Sequence, residues 1–113
     1  MPRTSKISEA SPAAVEEALI RLGSNIRTAR LRRRLTREGL AGRIGISRQV
    51  LAHVEKGKPT TAVAAYLGAL WALGLLNHLK DVADPDRDEE GKILERTRSP
   101  QTAPKRRKID DDF

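Results

Sequence analysis

Apolar residues recur every three or four positions along most of the chain, and this spacing predicts helices. The pattern divides residues 11–83 into a long helix, two short ones on either side of Gly45, a fourth that ends at Gly74 and a short fifth over residues 75–82. A sixth helix over residues 86–98 has only two apolar residues near its middle. We therefore expect an all-α fold: a five-helix domain, an extra C-terminal helix and flexible ends.

Capping residues set the predicted ends of these helices. Ser11-Pro12 opens the first helix, which runs to Arg34 and is loosened at Gly23-Ser24. Thr60 or Thr61 supplies the cap of the fourth helix. Residues 84–98 form an accessory segment in which an acid, a proline and a second acid open the last helix.

The stretch from Leu35 to Gly57 is the most informative, because it predicts two short helices joined by a tight turn. Thr36 and Ser47 are N-cap residues, and Gly45 between them allows the backbone to turn sharply. Gly57 can take the left-handed conformation that ends a helix. The apolar residues that hold the two helices together are Leu40, Ala41, Ile44, Leu51 and Val54.

The outer face of the second short helix carries side chains suited to reading DNA bases. Arg48 and Gln49 lie in its first turn, and in the major groove Arg pairs best with guanine and Gln with adenine. Val50 or Ala52 can contact a thymine methyl group. His53 can reach a base or a phosphate, and equally it can be an ordinary surface residue. The residues expected to hold DNA phosphates are Arg37, Arg43, Ser47, Lys56 and Lys58.

Positive charge is concentrated on the same part of the chain. The whole chain has a net charge of +7, whereas residues 21–58 alone contain eleven Lys or Arg against Glu38 and Glu55. Such a concentration predicts a surface that faces phosphates. A basic surface that only keeps the protein soluble is the alternative.

The remaining composition limits the chemistry. A chain of 113 residues holds one small domain with tails, which leaves no second domain for a small-molecule pocket. The chain has no cysteine, its two histidines lack metal-ligand spacing, and no glycine-rich phosphate loop is present. We therefore expect neither enzyme activity nor a cofactor or metal. Without a membrane-length apolar run or a signal-peptide core, a cytoplasmic location is expected.

Residues 35–58, LTREGLAGRIGISRQVLAHVEKGK, resemble the helix-turn-helix of the Cro and phage-repressor family. The resemblance covers about residues 22–75 and implies a lambda-repressor-like fold that represses transcription as a dimer on double-stranded DNA. It also implies that Arg30 forms a structural ion pair with Glu55 at the end of the recognition helix. Gly39 departs from the family, which usually has Glu there, and the lost half of a capping box should cost about 1 kcal/mol.

The fourth and fifth helices offer more apolar surface than one small domain buries. Homodimerisation through this surface is the leading interpretation, since a twofold dimer presents two recognition helices one DNA turn apart to a palindromic operator. In the alternative, Trp71 and Leu76 complete the core of a monomer. The residues expected at the dimer interface are Trp71, Leu75, Leu76 and Leu79.

Both ends of the chain lack a helical pattern. Residues 1–10 are expected to form a disordered arm, and residues 99–113 a tail that is disordered or bound to a partner. The run Lys105–Lys108 is a candidate nuclear-import or phosphate-binding segment, and equally a solvated part of the tail. Ile109 and Phe113 can anchor in a pocket on a partner protein, with the aspartates between them steering the contact.

Within the repressor family the chain is most similar to the Hip-type antitoxins, which partner a HipA-like Ser/Thr kinase toxin. The residues behind this resemblance are Thr60-Thr61, the extension over residues 73–98 and the aromatic end of the tail. It implies the antitoxin of a type II toxin–antitoxin pair, located at the bacterial nucleoid, that represses its own operon and neutralises the kinase by binding it. The alternative is a free-standing phage-type or metabolic repressor without a toxin partner.

Overall fold

The computed structural model of the protein describes residues 6–9 and 11–98. Every regular element in these two ranges is a helix, which confirms the all-α class predicted from the sequence. No helix among them is both long and apolar enough to span a membrane. The elements in chain order are α1 (Lys6–Glu9), α2 (Ala13–Arg32), α3 (Arg37–Ile44), α4 (Arg48–Lys56), α5 (Val63–Ala72), a 3₁₀ helix (Leu76–Asp81) and α6 (Glu89–Arg98).

The N-terminal boundary differs from the prediction. The single turn of α1 falls within the first ten residues, for which the sequence predicts no regular structure. Pro12 is the N-cap of α2 and gives it no side-chain cap. The Ser11 hydroxyl, expected to cap this helix, donates instead to the backbone carbonyl of Ile7.

The predicted loosening of α2 at Gly23 is wrong, because α2 is continuous there and meets the end of α4. A Cβ atom at Gly23 would lie 2.4 Å from the Val54 carbonyl oxygen, and one at Gly57 would lie 2.4 Å from the Leu19 carbonyl oxygen. Gly57 also has φ of 72°, which ends α4. The two glycines thus allow backbone-to-backbone packing that fixes the C-terminal end of α4 on α2.

The predicted caps of α3 and α4 are confirmed. Thr36 Oγ1 accepts a hydrogen bond of 2.9 Å from the Gly39 N–H, and Ser47 Oγ accepts one of 3.0 Å from the Val50 N–H. Gly45 between the helices has φ of 87°, a conformation that favours glycine. Local sequence therefore determines both ends of the turn that orients α4.

The helix α5 packs against α2, α3 and α4 and completes the core. Its N-cap is Ala62, so neither Thr60 nor Thr61 has the predicted capping role. Thr61 instead donates its N–H to the Lys58 carbonyl at 3.2 Å, which places it in the turn before the helix. Gly74, with φ of 78°, ends α5 as predicted. The core consists mainly of Ile26, Leu40, Leu51, Val54, Ala65, Tyr66, Ala69 and Leu70.

Residues from His78 onward form a second compact unit, described as far as Arg98. The predicted fifth helix is a 3₁₀ helix, Leu76–Asp81. The last helix, α6, exposes both of its apolar residues, Ile93 and Leu94.

The start of α6 lies three residues later than predicted. The Asp88 carboxylate accepts a hydrogen bond of 3.0 Å from the Gly91 N–H and thereby caps the helix. Asp84, the predicted cap, accepts a hydrogen bond from the Asp86 N–H and closes a turn instead. Of the aspartates in this segment, the third therefore opens the helix.

Candidate nucleic-acid interface

The helix α4 has one buried side and one exposed side. Leu51 and Val54 are fully buried in the core. Arg48 and Gln49 lie in the first turn, beside the Ser47 cap, and are exposed. Two of the residues predicted to read bases therefore lie together at the solvent-facing start of α4, where their donors and acceptors can reach a ligand.

The other predicted base contacts are less accessible. Val50, Ala52 and His53 are half-buried. A half-buried Val or Ala can still present a methyl group to a thymine methyl.

In the described part of the chain no group of three or more His, Asp or Glu is placed to hold a metal ion.

The residues predicted to hold phosphates lie at both ends of α4. Arg43 is in the last turn of α3, and Ser47, Lys56 and Lys58 are at the start, the end and just beyond the end of α4. All four are exposed. Ser47 Oγ already accepts a hydrogen bond as the helix cap, which leaves its hydroxyl hydrogen to donate.

The loop that carries Lys58 is anchored by a contact that the sequence analysis missed. The Tyr66 hydroxyl, on α5, donates a hydrogen bond of 2.9 Å to the Lys58 carbonyl oxygen. Burial raises the pKa of the Tyr66 hydroxyl above its ordinary value of 10.0. A tyrosine on a mostly aliphatic helix was a usable signal, since a buried hydroxyl needs a hydrogen-bond partner.

A buried carboxylate connects three helices behind the exposed face of α4. The Arg30 Nε donates to Glu55 Oε2 at 2.6 Å, and its Nη2 donates to Oε1 at 3.1 Å. The remaining Arg30 nitrogen, Nη1, donates to the Leu35 carbonyl at 2.8 Å. The structure thus brings together the pair that the family resemblance implies, and Arg30 spans from the end of α4 to the loop before α3.

Glu55 has a second arginine partner. The Arg37 Nε, from the first residue of α3, donates to Glu55 Oε1 at 3.0 Å. Burial by itself raises the pKa of Glu55. The hydrogen bonds and positive charges of Arg30 and Arg37 outweigh this effect and hold the pKa below its ordinary value of 4.5. Glu55 is therefore a charged structural link among α2, α3 and α4.

The contact with Glu55 gives Arg37 a role that the sequence analysis did not include. The sequence predicts only a phosphate contact for Arg37, and its side chain is 38% exposed. Its partner lies 18 residues further along the chain. No local spacing rule links residues that far apart, so only the packing of α3 against α4 reveals the pair.

The predicted dimer residues are placed as follows. Trp71 on α5 is 61% exposed and Leu76 is 38% exposed, whereas Leu75 is half-buried. Leu79, in the second unit, is also half-buried. Most of the Trp71 surface therefore lies outside the core of the single chain, and the dimer interface stays a prediction.

The candidate partner-binding residues belong to the last part of the chain. Ile109, Phe113 and the run Lys105–Lys108 lie outside the described residues.

A family model described as a helix-turn-helix domain matches residues 21–82, which is more than half of the chain. No curated protein and no solved structure matches the chain significantly.

Proposed function

The chain belongs to the helix-turn-helix domain family, and on that premise we propose that it is a sequence-specific transcriptional repressor that binds a palindromic DNA operator as a homodimer. Arg48 and Gln49 read base edges in the major groove, with apolar contacts from Val50 or Ala52. Arg43, Ser47, Lys56 and Lys58 hold phosphates at the two ends of the recognition helix. The role is regulatory and not enzymatic.

The observation that supports this proposal most directly is that α4 is exposed at its start and anchored to two other helices at its end. Arg48 and Gln49 are exposed at its first turn, while Glu55 in its last turn is tied to α2 and α3 by two arginines. A reading helix needs both properties, because base discrimination depends on holding donors at fixed distances from the groove.

Duplex selection tests the DNA-binding role. Wild-type protein is used to enrich sequences from a pool of random duplexes, and binding to the enriched duplex is then compared for two variants. Arg48→Ala should cost about 1–3 kcal/mol at one base position and relax the preference there. Lys58→Ala should weaken binding to every duplex by a similar factor. A uniform loss with Arg48→Ala would instead assign Arg48 to the DNA backbone.

We further propose that the repressor is the antitoxin of a type II toxin–antitoxin pair in the bacterial cytoplasm. The support is the sequence resemblance to Hip-type antitoxins together with the exposed apolar residues of α6, Ile93 and Leu94, which leave a surface for a protein partner. The proposed partner is a HipA-like Ser/Thr kinase, contacted through Ile109 and Phe113 of the tail.

Co-purification from the native host, followed by a kinase assay, tests the antitoxin role. Tagged full-length chain is compared with a version that ends at Arg98. A retained protein that phosphorylates itself or a substrate, and that is inhibited by added full-length chain but not by the shortened one, would support the proposal. Recovery of DNA alone with both versions would favour the free-standing repressor.

A further inference from the structure

We propose that Arg37 couples contact with the DNA backbone to the placement of the recognition helix. One edge of its guanidinium holds Glu55, and the opposite edge binds a phosphate of the duplex. Arg37 is thus a positioning residue for base reading as well as a phosphate ligand. The inference rests on the proposed DNA-binding function and adds to it a link between two kinds of contact.

The two arginines on Glu55 differ in how they use their donors. Arg30 is buried and directs all three nitrogens to protein acceptors, two to Glu55 and one to Leu35. Arg37 directs only Nε to Glu55, and within the described residues neither of its Nη nitrogens donates a hydrogen bond. A guanidinium has five N–H groups, so four of those of Arg37 are left for a ligand.

The exposure of these side chains shows where such a ligand would bind. The Glu55 side chain is 2% exposed and that of Arg30 is 6% exposed, whereas that of Arg37 is 38% exposed. Arg37 therefore spans from a buried carboxylate to solvent. The planar fork of its remaining N–H groups matches the oxygens of a phosphate and can bind two of them at once.

The local backbone favours an anion at the same place. Arg37 is the first residue of α3, and the first N–H groups of a helix have no acceptor within the helix. The Thr36 side chain occupies only the N–H of Gly39. A phosphate beside Arg37 would therefore meet a charged guanidinium together with the positive end of α3.

The coupling follows from the position of Glu55. Its carboxylate lies in the last turn of α4, and Oε1 is shared between Arg30 and Arg37. A phosphate that immobilises Arg37 also immobilises one of the donors to Oε1, and so restrains α4 in the register from which Arg48 and Gln49 reach the groove. Engagement of the backbone would in this way sharpen discrimination among bases.

Four variants distinguish the proposed coupling from a phosphate contact alone and from a contact with Glu55 alone. Arg37→Ala removes both contacts, and Arg37→Lys keeps the charge but replaces the fork by a single ammonium group that cannot hold two oxyanions in the same geometry. Arg43→Ala removes a predicted phosphate ligand from the same helix, where no contact with Glu55 exists. Arg96→Ala, on α6, removes one charge from another part of the chain.

Three quantities are measured for each variant with full-length protein. The first is the ratio of affinities for the duplex enriched by wild type and for a scrambled duplex. The second is the slope of log affinity against log salt concentration on the scrambled duplex. The third is the melting temperature without DNA, which reports the contact with Glu55 separately.

We expect Arg37→Ala to lower the slope by roughly 0.9 per protomer and the affinity ratio by roughly fivefold, together with a lower melting temperature. Arg37→Lys should leave the salt slope unchanged and lower the affinity ratio. Arg43→Ala should lower the salt slope and leave the affinity ratio unchanged. Arg96→Ala should change neither quantity.

Two results would overturn the coupling. A lower salt slope in Arg37→Ala with an unchanged affinity ratio would make Arg37 an ordinary phosphate ligand. A lower affinity ratio and a lower melting temperature in Arg37→Ala, with an unchanged salt slope, would give Arg37 a structural role only. Failure of the wild type to enrich any duplex would instead remove the proposed function, and the coupling with it.

Discussion

At the scale of single residues, the buried charges behind α4 have the largest expected effect on stability. As whole residues Glu55 is 7% exposed and Arg30 is 5% exposed, so the loss of the Glu55 charge leaves Arg30 without a charged partner in a poorly solvated place. Such a pair adds little net stability compared with apolar packing, yet its breakage is costly. Its main contribution is to fix the orientation of α4.

Glu55→Gln should therefore destabilise the protein by about 3 kcal/mol, because the amide keeps the shape of the side chain but not the charge that Arg30 and Arg37 require. Urea unfolding followed by circular dichroism measures the difference. Glu38→Gln, which changes an exposed acid in the first turn of α3, is the matched control and should stay within about 0.5 kcal/mol of wild type. Equal effects of the two substitutions would show that the buried pair is not special.

The stabilising effect of Glu55 should also depend on pH. The folded protein holds the pKa of this carboxyl below 4.5, so its contribution is fully present above that value. The contribution is lost as pH falls through the lower folded pKa, since the folded state must then take up a proton that the unfolded state already holds. We expect the gap in melting temperature between wild type and Glu55→Gln to narrow below about pH 4.5. A gap that stays constant on acidification would contradict this assignment.

The residues that the sequence predicted correctly are those whose partners lie close by in the chain. Thr36 and Ser47 cap N–H groups three residues ahead, and the positive φ of Gly45 is a property of one position. The contact of Arg37 with Glu55 and that of Tyr66 with Lys58 join different elements. Side-chain type suggests that such partners exist, but only the packing of the helices identifies them.

At the scale of elements, the position of α4 depends on how closely it approaches α2. The contact occurs at Gly23 and Gly57, where each backbone lies against the other helix without an intervening side chain. From the sequence, Gly23-Ser24 is a predicted point of loosening, because helices often kink at such pairs. The close approach of the two helices explains the glycine instead, because a larger residue would collide with the Val54 carbonyl oxygen.

Gly23→Ala should destabilise the protein by about 1–3 kcal/mol even though alanine is the better helix former. Its Cβ would meet the Val54 and Glu55 carbonyl oxygens at 2.4 and 2.8 Å, so α4 would have to move away from α2. Gly42→Ala on α3 is the matched control: a Cβ there meets nothing within 4 Å, and the substitution should stabilise by about 1 kcal/mol. Chemical denaturation of both variants measures the two changes, and a stabilising Gly23→Ala would mean that the helices are further apart.

Helix starts were harder to predict where several capping residues compete. Around α3 and α4 a single Thr and a single Ser were available, and both caps are where the sequence placed them. Before α5 two threonines were available and Ala62 is the cap, while before α6 the third of three aspartates is used. Capping preference identifies the third aspartate as one of several candidates before α6, but it does not identify Ala62, which gives α5 no side-chain cap.

At the scale of the whole molecule, the basic face and the apolar face lie on different elements. The basic residues surround α3 and α4, whereas the exposed apolar side chains of α5 are Val63, 69% exposed, and Trp71, 61% exposed. With the half-buried Leu67 they form a stripe at positions i, i+4 and i+8 along one side of the helix. The stripe contains none of the residues predicted to contact DNA, which is why we assign it to the proposed dimer.

Trp71→Glu should convert the proposed dimer into a monomer, because two buried carboxylates would face each other across the twofold axis. The substitution should leave the fold intact, since the tryptophan is mainly exposed in the single chain. Sedimentation equilibrium gives the mass of each form, and Ile20→Glu, at a 58% exposed apolar position on α2, is the matched control. Binding to a two-half-site duplex should weaken together with the mass change, because the two recognition helices no longer bind as one unit. A Trp71→Glu protein that keeps a dimer mass would place the interface elsewhere, and a monomeric wild type would remove the twofold model of operator recognition.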